Sequence, residues 1–175
     1  MKKVTYSFTI ILLFFILASF NSRDKDKVQW MTIDEMHTAF NKAPRPIIVD
    51  IYTSWCGWCK VMDKETYRNT KVANYINEHF YAVKLDAETK EVINWNGKQY
   101  AYNGAYQSNE LAVYLMGGQM SYPTTVLLPA LTSQPAPMAG FLKPTELEAP
   151  LKFFAEETYK IKTYQQFIQN FKASW

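Results

Sequence analysis

The chain has 175 residues, 48% of them hydrophobic and 16% aromatic, which supplies one buried core and excludes an intrinsically disordered chain. Its formal charge of +3 falls to +1 once residues 1–20, which hold Lys2 and Lys3 and no acid, are set aside, so no basic field remains to argue for nucleic acid. Two cysteines exclude a disulfide scaffold and a four-cysteine zinc site.

Residues 1–20 have a short positive start and an unbroken apolar stretch from Ile10 to Ala18, the pattern of a secretory signal. The expected destination is the periplasm or the cell exterior. An uncleaved N-terminal membrane anchor is the competing reading, since residues 4–20 are just short of a membrane span of about 20 residues. No cysteine follows the apolar run, so a lipoprotein anchor is not supported. Residues 21–27 are a polar, charged spacer, and residues 28–175 are read as one domain.

Within that domain, Thr32-Ile33-Asp34-Glu35 has the form of a capping box and opens a helix to about Lys42. Ile47-Ile48-Val49-Asp50-Ile51-Tyr52 is a continuous β-prone run, the mark of a strand buried on both faces. A helix follows from near Cys59 to His79, interrupted around Asn69-Thr70, and a second strand covers Phe80 to Leu85. Asn96-Gly97 between Val92–Trp95 and Lys98–Tyr102 is a strong hairpin signal. A helix from Asn109 to Met116 ends at Gly117-Gly118. Thr124 to Leu128 is a third core strand, and Pro137 to Phe141 an edge strand. Thr145-x-x-Glu148 and Thr163-x-x-Gln166 read as caps of two further helices, the last reaching toward Trp175. In that last helix Tyr164, Phe167, Phe171 and Trp175 recur at helical spacing, a pattern expected to pack on the sheet, with a partner-docking face as the alternative. The pattern is an α/β layer fold, a mixed β-sheet flanked by helices, with a hairpin–helix insertion and an extra C-terminal helix.

The chemistry centres on Cys56-Gly57-Trp58-Cys59, where the buried strand turns into a helix. Free N–H groups and the helix dipole stabilise a thiolate at the first cysteine. Cys56 is then the exposed nucleophile that attacks a disulfide, and Cys59 the shielded thiol that resolves the mixed disulfide. Haem attachment fails because residue 60 is Lys. Zinc lacks ligands beyond His37 and His79, each read as a surface or satisfied helix histidine. A copper-carrying thiolate pair and a merely structural disulfide remain alternatives.

Asp50 is anomalous in an apolar strand, on the face shared by Ile48 and Tyr52. Burial raises a carboxyl pKa and makes Asp50 a candidate proton acceptor for Cys59. A wetter strand end, with Asp50 as an ordinary edge residue, is the alternative. Lys84 is either its charge partner or a lysine that reaches solvent. In Tyr122-Pro123-Thr124, the proline belongs at a strand entrance. A cis bond there would free backbone groups to pair with an extended substrate. Both isomers fit the sequence.

In this order the elements resemble the thioredoxin superfamily over about residues 28–160. The resemblance places Asp50 on the family's buried acid, Cys56 and Cys59 on its nucleophilic and resolving cysteines, and Lys84 on the lysine near that acid. It places Tyr122-Pro123-Thr124 on the cis-proline loop and Gly140 on the glycine near the last strand. Trp58-Cys59-Lys60-Val61-Met62 is similar to the subfamily that includes exported thioredoxin-like proteins and the C-terminal domain type of the membrane electron transporter DsbD. The implied function is an exported thiol–disulfide oxidoreductase, leaning toward reductase, that uses no organic cofactor or metal. The implied partners are disulfide or dithiol proteins and a membrane electron donor. Trp55, Gly57, Trp58, Tyr122 and Thr124 are then the residues that meet the substrate. Gly57-Trp58 replaces the Gly-Pro common in the family's reductases, and about twenty residues from Glu88 onward are additional. A non-enzymatic thioredoxin-like binding module is the rival from a different class.

Overall fold

The computed structural model of the chain describes residues 27–175, so the expected leader and nearly all of the spacer lie outside the described residues. Strand β2 (Ile47–Tyr52) is central in a five-stranded mixed sheet. Its neighbours are β3 (Tyr81–Asp86), which is parallel to it, and β8 (Thr124–Leu128), which is antiparallel. The edges are β1 (Trp30–Met31), paired parallel to β3, and β9 (Ala136–Ala139), paired antiparallel to β8. The run of apolar, β-branched residues in β2 is buried on both faces, as such a run requires.

Because side chains alternate along a strand, β2 feeds two cores. Ile47, Val49 and Ile51 meet Met36 of α1 (Ile33–Lys42) and Leu111 and Leu115 of α4 (Glu110–Leu115). Ile48 faces Met62 of α2 (Gly57–Glu65), Val72 and Ile76 of α3 (Thr70–His79), and Leu147 and Leu151 of α5 (Pro144–Ala155). Asp50 lies on this second face.

The interruption expected near Asn69 separates α2 from α3. The Asn69 side chain caps α3 by accepting the N–H groups of Lys71 (3.0 Å) and Val72 (3.3 Å). Tyr67, in that break, is buried against the sheet face that carries Asp50.

After β3 the chain builds the insertion. Strands β4 (Ile93–Trp95) and β5 (Lys98–Tyr100) pair across Asn96-Gly97, both with positive φ, 50° and 79°. That is the conformation for which an Asn-Gly turn is selected. A second pair, β6 (Tyr102–Asn103) with β7 (Ser108–Asn109), carries no such signature. Instead, the Asn103 carboxamide accepts the Ala105 N–H within the connecting turn (2.9 Å). Asn109 is fully buried and ties the insertion together. Its backbone N–H donates to Ala87 O (2.7 Å), its Nδ2 donates to Glu91 O (2.9 Å), and its Oδ1 caps α4 at Leu111 N (3.0 Å).

The C-terminal third departs from expectation at three points. Helix α5 starts at Pro144, and Glu146, not Glu148, accepts the Lys143 N–H (2.7 Å), because Pro at the first helical position fixes the start earlier. Glu148 is buried inside the helix and accepts from Lys152 Nζ (2.7 Å), Ser174 N and Oγ (both 2.6 Å) and Trp175 N (3.0 Å). Burial alone would raise this carboxyl, but those bonds outweigh it and hold the pKa at about 2. The final helix α6 keeps its Thr163–Gln166 capping box but covers only Tyr164–Ile168. The tail N–H groups of Ser174 and Trp175 go to Glu148 instead of to a helical ladder. The recurring aromatics therefore pack on helices and not on the sheet: Phe167 meets Phe153 of α5 and Phe171, and Trp175 meets Tyr75 of α3.

His37, expected as a surface or satisfied helix histidine, is half-buried on α1. Its Nε2 is buried without a hydrogen-bond partner, beside the Trp95 ring at 5.8 Å, and burial lowers its pKa. Among the described residues, no helix is long and apolar enough to cross a membrane.

Candidate functional site

The loop after β2 turns at Thr53–Cys56, with Cys56 N bonded to Thr53 O (3.2 Å), and delivers Cys56 to the N-cap of α2. Cys56 Sγ accepts the Cys59 N–H at 3.0 Å. A negative sulfur at that position would meet a free amide and the positive end of the helix dipole. Cys56 and Cys59 are joined as a disulfide, with Cα atoms 5.4 Å apart. Both cysteines are 5% exposed, so the expected contrast between an open Cys56 and a shielded Cys59 is absent in this oxidised form. Two sulfurs bonded to each other share one enclosure.

Those rings are the expected rim. Trp55 and Trp58 are about two-thirds exposed, an unusual cost for two indoles. Trp55 meets Tyr122 edge-on (5.9 Å), and Trp58 meets Phe141 (5.8 Å). Trp55 Nε1 donates to Glu88 Oε1 (3.0 Å), the first residue of the additional segment. Tyr122-Pro123 is a cis peptide, and Pro123 O accepts from Gly140 N (2.7 Å). Gly140 has φ 93°, a conformation open to a residue without Cβ. Trp58, Tyr122, Pro123, Gly140 and Phe141 line a cleft of about 300 Å³. Gly57, the first residue of α2, is exposed between the cysteines. Thr124 does not join the rim with its side chain. It is buried, and its hydroxyl donates back to Ser121 O in the loop before β8 (2.8 Å).

On the sheet beneath α2, Asp50 is 2% exposed and pairs in register with Lys84 on β3 and Thr125 on β8. The wetter-edge alternative for Asp50 is therefore excluded. Lys84 Nζ lies 3.6 Å from Asp50 Oδ2, but it makes its closest contact with both carboxylate oxygens of Asp63. Asp63 follows Cys59 by four residues, so both share one face of α2. Tyr67, brought in by the break after α2, bonds through its hydroxyl to Thr125 Oγ1 (2.9 Å). Asp50 Oδ1 is buried with no hydrogen-bond partner. Desolvation raises the Asp50 carboxyl to about 7, against the opposing pull of the Lys84 ammonium, whose charge is shared with Asp63.

Asp63 and Tyr67 were missed in the sequence. The i, i+4 spacing from Cys59 could have pointed to Asp63, and its repeat four residues on to Tyr67. His37 and His79 take no part. Among the described residues, no cluster of three or more His, Cys, Asp or Glu side chains is placed to hold a metal ion.

The Asp50 shift fixes a pH dependence. The folded chain keeps this proton up to about pH 7, whereas the unfolded chain releases it near the ordinary 3.8. The carboxyl therefore opposes folding increasingly as pH rises between those values. The stability gain of Asp50→Asn over the wild type should grow by about 2–4 kcal/mol between pH 4 and pH 8. Denaturant titration of the oxidised protein measures it, and a gain independent of pH would contradict the assignment.

Comparison with known proteins agrees with this geometry. Residues 18–172 match the Thioredox_DsbH family model, described as a protein of unknown function, DUF255. Among curated proteins, the uncharacterized protein B0495.5 of Caenorhabditis elegans is 40% identical over 55 residues, 30% of this chain and 8% of that protein. The thiol:disulfide interchange protein DsbD of Pectobacterium atrosepticum is 33% identical over 45 residues, 26% of this chain and 8% of that protein. The matched stretch thus spans less than a tenth of these relatives. A thioredoxin-fold protein from Helicobacter pylori superposes with a TM-score of 0.54 at 18% identity, covering 71% of this chain and 83% of that one. A DsbH oxidoreductase superposes with a TM-score of 0.52 at 16% identity, covering 74% and 85%. At those identities the structures establish the fold, and the family match over most of the length establishes membership: this chain belongs to the Thioredox_DsbH family of the thioredoxin superfamily.

Proposed function

We propose that this protein is an exported thiol–disulfide reductase. The observation that carries the redox reading is the position of Cys56 Sγ as the N-cap of α2, bonded to Cys59 N–H, on the helix that overlies the buried, near-neutral Asp50. Export rests on the Lys2-Lys3 start and the apolar run of residues 4–20.

The Cys56 thiolate attacks a substrate disulfide, forming a Cys56–substrate bond and expelling one substrate thiolate, which takes up a proton. The Asp50 carboxylate accepts the proton of the Cys59 thiol. A pKa of about 7 suits that acceptance at neutral pH, because both the carboxylate and the carboxylic acid are then populated. The Cys59 thiolate attacks Cys56 Sγ and releases the second substrate thiolate, which is protonated in turn. The substrate has gained two electrons and two protons, and the protein is left as the Cys56–Cys59 disulfide. A dithiol donor must return the electrons. In an oxidising compartment that donor is a membrane partner, in keeping with the local similarity to DsbD. The substrates are disulfide-containing proteins, met by the exposed rings of Trp55 and Trp58.

Cys56→Ser should abolish dithiol-dependent reduction of a protein disulfide. Cys59→Ser should accumulate mixed disulfides, read by mass spectrometry of alkylated samples. Full turnover in both variants would sink the mechanism. The direction is tested separately by the reduction potential of the pair in a glutathione or dithiothreitol redox buffer. A reductase should lie near the thioredoxin value of about −270 mV; a value near −120 mV would make the protein an oxidant.

A further inference from the structure

The insertion after β3 reaches the redox site at two side chains. Glu88 holds the Trp55 indole (3.0 Å), and Ser108 bonds the Tyr122 hydroxyl (3.1 Å). The two grips share one anchor, since Asn109 N donates to Ala87 O (2.7 Å) and so fixes β7 to the residue before Glu88. Trp55 and Tyr122 also touch each other edge-on. Ser108 is 2% exposed, whereas Tyr122 is only half-buried. The buried serine is thus the fixed point and the tyrosine ring the part it holds. Tyr122 precedes the cis-proline whose carbonyl is tied to Gly140, so its backbone is immobilised on the other side as well.

We infer that Ser108 is a positioning residue for substrate recognition: its hydrogen bond holds the Tyr122 ring as one wall of the cleft beside the disulfide. This rests on the redox reading above and assigns the additional segment a task within it. The cleft, lined by Trp58, Tyr122, Pro123, Gly140 and Phe141, presents aromatic and aliphatic surface and no charged side chain. Such a surface selects an extended polypeptide that carries an apolar side chain next to its cysteine. Without the Ser108 bond the Tyr122 hydroxyl has no anchor, and only packing against Trp55 and the core holds the ring in its rotamer. The cleft then loses its shape while the sulfurs, the helix N-terminus and Asp50 stay as they are.

Ser108→Ala is the clean probe, because it leaves a half-buried tyrosine hydroxyl that water can reach. The reverse change, Tyr122→Phe, would strand a buried serine hydroxyl. The pre-reduced full chain is mixed with two substrates in stopped flow. One is a quenched fluorescent peptide disulfide with phenylalanine beside the cysteine; the other is the small disulfide 5,5′-dithiobis(2-nitrobenzoate). Ser108→Ala should raise the half-saturating peptide concentration about fivefold, the scale of one hydrogen bond. It should leave the limiting rate and the small-disulfide rate unchanged, and Ser108→Thr should restore the wild-type value. In a double-mutant cycle, Ser108→Ala should have no further effect in a Tyr122→Phe background. An unchanged half-saturation in Ser108→Ala, or an equal loss on the small disulfide, would overturn the inference while the redox reading stands. Failure of the wild type to react with either disulfide would remove both.

Discussion

A carboxyl group in the middle of an apolar strand is the constraint around which this molecule is arranged. Asp50 cannot be placed at the edge, because β2 is the strand that feeds both cores. Its desolvation is only partly offset. Lys84 approaches Oδ2, but Asp63 draws the same ammonium toward the surface, and Oδ1 has no partner. The result is a group poised near neutrality instead of a fully paired anion. A tight, exclusive Lys84–Asp50 pair would have held the carboxyl ionised, and a wholly apolar setting would have held it protonated through any ordinary pH. The division of one lysine between two acids gives the intermediate value that proton exchange with a thiol needs.

The same constraint organises the neighbouring elements. The helix above Asp50 stops at Glu65, and the break that follows is stabilised by Thr66 Oγ1 on Leu142 O (2.5 Å) and by the Asn69 cap. That break lets Tyr67 turn inward to Thr125, the cross-strand neighbour of Asp50. On the other side of the disulfide, the insertion controls the aromatic rim through Glu88 and Ser108. The chemistry of the sulfurs thus depends on the sheet and the helix break, and the access to them depends on the segment added after β3.

Much of this was legible in the residues. The β2 run, the Cys56–Cys59 spacing at a strand-to-helix turn and the acid within the strand are local patterns with one dominant physical meaning. Asn96-Gly97 and the Thr32 and Thr163 capping boxes are equally local, and each forms where expected. What escaped depends on contacts distant in sequence. Tyr67 and Thr125 are 58 residues apart, and the Ser108–Tyr122 bond joins a strand without a turn signature to the cis-proline loop. The C-terminal segment shows the limit of periodicity. Its aromatics keep helical spacing, yet Glu148, 26 residues away from Ser174, captures the tail N–H groups and ends the helical course. Glu148 itself read as a cap because Thr145-x-x-Glu148 has the right form, and Pro144 had already fixed the start of the helix.

The protonation of Asp50 is the most direct test of this account. Carbon-13 labelling of the aspartate carboxyls, with Asp50→Asn to assign the signal, would follow its chemical shift in the oxidised protein from pH 3 to pH 9. An inflection near pH 7, set by burial, is the expected result. An inflection near the ordinary 3.8 would show a carboxylate fully ionised at neutral pH, and would contradict the role of Asp50 as acceptor of the Cys59 proton.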